Sequence, residues 1–151
     1  MKKANSNVMM GAVLAAWLAA ALPAQAADTV VMLPIAGAMA ANDAQSRLGD
    51  TVKFYFGDQP TPEVLNTITT DKTSLRTNGF AKTAEKSCNW VFLSAMLRLQ
   101  KRATEVGANA VVHIVSNYND KEMSSVTDFE CHAGAIMSGV ALKGDFVKVA
   151  Q

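Results

Sequence analysis

Residues Glu85 to Val106 carry the pattern that most limits what this chain can fold into. At about 100° per residue, Cys88, Val91, Phe92, Ala95, Leu99, Ala103 and Val106 fall on one helical face. Trp90, Leu93 and Leu97 form a second apolar stripe, nearly opposite. Thr83 stands at the start as a partial cap, followed three residues on by Lys86 rather than Glu or Gln. Gly107 stops the helix, with Asn109 just beyond. Arg98, Lys101, Arg102 and Glu105 crowd its last two turns. A helix apolar on two sides needs cover on both. In a small domain one side is expected to lie on a sheet. The other needs the N-terminal half of the chain or a partner.

The strands for that sheet are legible on either side of the helix. Thr29 to Ile35 reads as a strand that Pro34 pushes toward an edge or an end. Ala36 to Arg47 is Ala-rich and fits a short helix, and Gly49-Asp50 marks a turn. Thr51 to Phe56 sets Val52, Phe54 and Phe56 on one strand face. Residues 61–83 are polar and weakly patterned, with one turn of structure around Val64, Leu65 and Ile68. Thr69 to Ala81 reads as a loop ending near the Asn78-Gly79 turn signal. Ala110 to Tyr118 holds a β-branched run and reads as a buried strand, and Asn119 to Thr127 as a charged tip. Asp128 to Val149 is a long extended stretch in which Ile136, Val140, Leu142 and Phe146 keep one parity. These last two runs are expected to pair as an antiparallel hairpin, with Gly134, Gly139 and Gly144 marking a bulge or a close backbone approach. The expected fold class is α+β: a small antiparallel sheet, one main helix over about 85–106 packed on it, then a C-terminal β-hairpin.

The first 26 residues follow the three-part layout of a secretory signal peptide. Lys2 and Lys3 open it, Val8 to Leu22 is an uncharged apolar run, Pro23 ends it, and Ala24-Gln25-Ala26 supplies small residues for cleavage before Ala27. The apolar run is shorter than the roughly 20 residues of a spanning helix, and no later stretch is apolar and long enough to span. The expected product is one periplasmic domain over residues 27–151, with no membrane span after cleavage. Removing Lys2 and Lys3 leaves twelve basic against thirteen acidic residues, a net charge of −1. That balance argues against a nucleic-acid binder, which shows a basic face.

Cys88 and Cys131 are the only cysteines. In an oxidising compartment two cysteines point to a disulfide. A metal-binding pair and two buried thiols are the alternatives, though two thiolates alone leave a metal site incomplete.

The helix, then Gly107-Ala108-Asn109-Ala110-Val111-Val112, then a hairpin ending in a Gly-containing strand, resembles the small YbjQ-like domains, loosely described as heavy-metal-binding. The run from Cys131 to Leu142 resembles more closely the periplasmic domain of the RcsF-like envelope-stress sensors. The resemblance covers about residues 84–147. It implies a helix cysteine at Cys88 bonded to a last-strand cysteine at Cys131. Those sensors carry a second disulfide where this chain has Met137, and a lipid anchor with a Pro-rich linker that this chain lacks. The whole chain is also similar to short exported proteobacterial proteins labelled "excinuclease ATPase subunit". That label conflicts with the residues, because no GxxxxGK[ST] phosphate loop is present.

His113 and His132 are the only histidines. If the hairpin brings them together, with Asp128 and Glu130 nearby, imidazole and carboxylate suit a divalent metal. A thiol nucleophile would need Cys88 or Cys131 free beside a His and an orienting group, and the Cys-x-x-Cys of redox enzymes is absent. The leading expectation is a non-enzymatic exported protein that binds or senses an envelope partner and has no cofactor. One alternative is a periplasmic metal-binding protein using His113 and His132. The other is a structural homodimer joined through Trp90, Leu93 and Leu97.

Overall fold

The computed structural model describes residues 28–151. The expected signal segment and cleavage site lie outside these residues. In chain order the elements are β1 (Thr29–Pro34), α1 (Ile35–Ala40), α2 (Ala44–Leu48), β2 (Lys53–Phe56), β3 (Val64–Asn78), α3 (Ala84–Val106), β4 (Ala110–Tyr118), β5 (Lys121–Met123), β6 (Asp128–Ala133) and β7 (Met137–Val149). The seven strands form one mostly antiparallel sheet, and strand outweighs helix. The one parallel pairing joins β2 to β4.

β7 is the spine of the sheet. β3 runs antiparallel along one edge over the whole strand, from Val64↔Val149 to Asn78↔Met137. The other edge is divided. β4 pairs with its later part, Ala110↔Val147 to Ser116↔Leu142, and β6 with its beginning, His132↔Gly139 and Ala133↔Ser138. The sheet therefore forks: β6 carries β1 on its far side, and β4 carries β2 and β5.

α3 packs on the inner face of this fork, and its face is the expected one. Cys88, Val91, Phe92, Ala95, Leu99 and Ala103 are buried, with Val106 partly so. Opposite them, Val140, Leu142 and Phe146 of β7, Val111 and Ile114 of β4, and Phe129 and Cys131 of β6 complete the core. Thr83 caps the helix by accepting from Lys86 N–H (3.2 Å), and Gly107 ends it at φ 77°. Ser87 and Ser138 meet through their hydroxyls at 2.8 Å inside the helix–sheet contact, which satisfies two buried polar groups with one bond.

Three expectations are corrected. The first concerns residues 61–83, which hold the fifteen-residue strand β3 rather than a loop. Its pattern is weak because it lies at a sheet edge where most side chains stay wholly or partly exposed, so no apolar alternation is needed. Its Thr67, Thr69, Thr70, Thr73 and Thr77 supply β-branched propensity instead. The second correction concerns the place of the C-terminal strands: β4 and β7 pair antiparallel, as expected, and β6 and β7 form a hairpin, but they are the middle of the main sheet rather than a unit that follows it. The chain turns back at Asn119 and Asp120, both at positive φ, to form a tight β4–β5 hairpin of the kind such residues favour. β6 then leaves to pair with β1, and β7 returns alone along β4. The third correction is to the single short helix expected over 36–47, which is two, separated by left-handed Asn42 and Asp43.

The glycines of β7 mark close approaches, as expected. A Cβ on Gly144 would meet Val111 Cγ1 at 2.7 Å and Ile114 Cγ1 at 3.2 Å. Both neighbours are buried, short and branched, so neither can swing away. Gly144→Ala is expected to cost about 1–3 kcal/mol by overpacking, read as a lower midpoint of denaturant unfolding with unchanged slope. An unchanged midpoint would show that β4 yields without strain.

Candidate functional site

Side chains on a strand alternate between faces, so each strand offers one set to α3 and the other to the outer face. β4 breaks this alternation. Its register against β7 shifts between Val112 and Val115, and His113 sits there at φ 49°. The bulge explains why Val111 and Ile114, three residues apart, both point into the core. It also lifts His113 into solvent, where Nδ1 lies 3.1 Å from Asp145 Oδ2. Thr70 Oγ1 donates to the other oxygen of that carboxylate.

His132 occupies a different place. On β6, Phe129 and Cys131 turn inward, and Glu130 and His132 turn outward. His132 Nε2 is 2.7 Å from Glu130 Oε1, and both side chains are largely sheltered. The shelter is Tyr118, whose ring stacks on the imidazole at 3.5 Å between centroids and 10° between planes. A Cβ on Gly139 would lie 3.4 Å from that tyrosine ring and 3.5 Å from Arg76 Cγ. Gly139 is thus the floor on which Tyr118 and Arg76 rest. Val30 and Met32 of β1, paired with His132 and Glu130, extend the strip as exposed apolar residues.

The structure does not bring the two histidines together. Their β7 counterparts, Asp145 and Gly139, are six residues apart, on the order of 20 Å at about 3.3 Å per residue. Each histidine has its own carboxylate, and Asp128 is bonded to Thr127. Among the described residues no group of three or more His, Cys, Asp and Glu side chains is placed to hold a metal ion. The Glu130–His132 pair offers two donors. The separation of the two histidines follows from β6 pairing with β1 and only the beginning of β7. In the sequence Tyr118 carries no signal of a site beyond being an aromatic residue before the Asn119-Asp120 turn, and Gly139 signals only a close approach.

Two ion pairs flank this face, Lys72 with Asp120 and Lys143 with Glu122. The hydrogen bond and charge of Lys72 hold the Asp120 carboxyl below its ordinary value of 3.8. The hydrogen bond and charge of Glu122 raise the Lys143 ammonium above 10.5. A lowered carboxyl stabilises the fold above the ordinary carboxylate range and loses that contribution as pH falls through its folded value. A raised ammonium stabilises it below the ordinary lysine range and loses that contribution as pH rises through its folded value. The melting temperature is therefore expected to be flat between these limits and to fall beyond both, by small amounts because the pairs are exposed. Melting curves across both limits, at low and high salt, check this. The Asp120→Asn and Glu122→Gln variants should remove the acid and alkaline parts respectively.

Cys88 and Cys131 are bonded, with a sequence separation of 43. Both are fully buried, so neither thiolate is available as nucleophile or metal ligand. The bond ties α3 to β6.

The Trp90 stripe is divided by the chain's own N-terminal elements. α1 and α2 pack on the back of α3, burying Leu93 to 1% exposure, and Leu97 packs against the core as a partly buried residue. The Gln100 side-chain amide donates to the Leu48 carbonyl and pins α2 there. Trp90 alone stays open, with the Arg47 guanidinium 5.5 Å above its ring. The second apolar side of the helix is thus covered from within, and Leu93 is no surface for a partner. Among the described residues no helix is long and apolar enough to cross a membrane. No protein-family model matches the chain, and no curated protein is significantly similar to it.

Proposed function

We propose that this chain is an exported binding module of the cell envelope, cross-linked by one disulfide and acting through contact rather than catalysis. The observation that carries the reading is the fully buried Cys88–Cys131 bond between helix and sheet. Such a bond persists in an oxidising compartment and is rare where thiols are kept reduced. It fits the Lys2/Lys3, Val8 to Leu22 and Ala24-Gln25-Ala26 export pattern. The RcsF-like resemblance over residues 84–147 points the same way, toward a domain that works by docking to envelope proteins.

The test is fractionation of cells producing the chain with a C-terminal epitope, followed by intact mass and thiol counting in denaturant. The expected result is periplasmic protein beginning at Ala27, lighter than the reduced form by two hydrogens and with no titratable thiol. A cytoplasmic chain with two reactive thiols would overturn the reading and reopen Cys88 and Cys131 as chemical groups.

A further inference from the structure

β3 uses one of its two edges. Among the described residues it pairs with β7 alone. In an antiparallel ladder, the main-chain groups of alternate residues point to opposite edges. Gly79 N–H donates to Ile136 C=O on the β7 side (2.7 Å), so odd-numbered residues face β7. Even-numbered residues face out: Lys72 N–H donates to Asp71 Oδ1 (2.8 Å), and Asn78 C=O accepts from Lys82 Nζ (2.8 Å). Between those two ends, the carbonyl of Lys72 and both main-chain groups of Ser74 and Arg76 have no partner among the described residues. All three residues are exposed. This is a ready template for an added strand.

A groove of about 260 Å³ lies beside the edge, between Asp71–Thr73 of β3 and the flank of α3. Leu99 and Phe146 form its floor, and Arg98, Lys101, Arg102 and Glu105 line its helix side. Arg102 Nε donates to Asp71 Oδ2 at 2.9 Å. Asp71 thus holds both a groove guanidinium and the Lys72 N–H of the edge, the two groups an incoming carboxylate and carbonyl would take.

We infer that this edge receives an extended acidic segment of a partner protein, added to the sheet as a strand beside β3. The charges choose this occupant. Residues of the added strand that face α3 meet Arg98, Lys101 and Arg102; Arg98 has no salt-bridge partner among the described residues, whereas Lys101 pairs with Glu105 and Arg102 with Asp71 and Glu105. Residues on the other face lie opposite Lys72 and Arg76, of which Lys72 already pairs with Asp120. A second copy of the chain is disfavoured by the same charges. The antiparallel register that pairs both Ser74 groups and joins the Lys72 C=O to the Arg76 N–H places Ser74 against Ser74 of the copy and sets Lys72 opposite Arg76 twice, and like charges directly opposite destabilise a sheet. Strand addition also needs little preformed side-chain pocket, since main-chain bonds supply affinity and alternate side chains supply specificity.

The inference deepens the binding-module reading and rests on it. Export and disulfide are read by fractionation and thiol counting, so failure here leaves those results intact. The experiment uses the oxidised protein and a fluorescein-labelled heptapeptide, Glu-Thr-Glu-Val-Glu-Thr-Glu, in fluorescence anisotropy. The peptide should bind, and its lysine counterpart should not. Arg98→Glu with Lys101→Glu should weaken binding by about tenfold or more. Should that pair fail to fold, Arg98→Gln with Lys101→Gln should weaken it in the same direction. N-methylation at alternate peptide residues separates strand addition from bulk attraction: one phase blocks the bonds to Lys72, Ser74 and Arg76, and the other spares them. Loss of binding in one phase only, with amide shifts at Ser74 and Arg76, supports the inference. Equal binding of both phases, or binding indifferent to the charge changes, overturns it. A dimer in light scattering whose β3 edge excludes the peptide also overturns it, in favour of the second copy.

Discussion

Replacing Cys88 and Cys131 with alanine is expected to lower stability by about 4 kcal/mol, the chain-entropy estimate for a loop of 43 residues. A domain of this size has roughly 5–15 kcal/mol in total, so the loss is a large share of the whole. The melting temperature should fall by about 10–20 °C, on the usual scaling for a domain of this length. Alanine is the right replacement because both positions are fully buried, and a serine hydroxyl there would add the cost of an unpaired polar group. The comparison is thermal and denaturant unfolding of the oxidised wild type against the double variant. A shift of only a few degrees would mean that helix and sheet hold one another without the bond. The bond would then need another role, such as resistance to proteolysis.

The bond also shows how far the residues alone could be read. Cys88 and Cys131 were legible as a pair because the chain holds two cysteines and no others. α3 was legible because its face repeats at 3.6 residues and Gly107 ends it. β4 was legible because a β-branched run buried on both faces has no other reading in a small domain. β3 was not, because an edge strand has no need of apolar alternation and so leaves little pattern to find. The separation of the two histidines was hidden for a different reason. Bringing His113 and His132 together required β4 to pair with β6, and strand order is set by the whole sheet rather than by neighbours in sequence. The bulge at His113 left no local mark, since neither glycine nor asparagine sits there. The proposed docking edge shares this fate. Arg98, Lys101 and Arg102 read as a solvated face until β3 is known to be a strand with one side open beside them.

The second large effect lies one helical turn from the disulfide. Phe92 is fully buried, with its ring stacked 4.2 Å from Phe129 of β6 and 6.0 Å from Phe56 of β2. Phe92→Ala is expected to cost about 3–5 kcal/mol, from lost transfer energy and the cavity left behind. Phe92 and Cys88 both anchor α3 to β6, through Phe129 and Cys131 respectively, so their effects test what the bond does. If the disulfide acts by restricting the unfolded chain, the two losses occur in different states and add to within about 0.5 kcal/mol, as independent changes do. The doubly altered chain, missing roughly 7–9 kcal/mol by these estimates, would then be largely unfolded near its growth temperature. If the disulfide instead holds α3 against β6 in the folded state, removing it loosens the Phe92–Phe129 contact. The aromatic change would then cost less in the alanine background, by about 1 kcal/mol or more. Additivity is the expected result, because α1 and α2 already press α3 onto the sheet from behind. A four-corner cycle of denaturant midpoints decides between the two, with the triple variant measured at low temperature to keep a folded baseline.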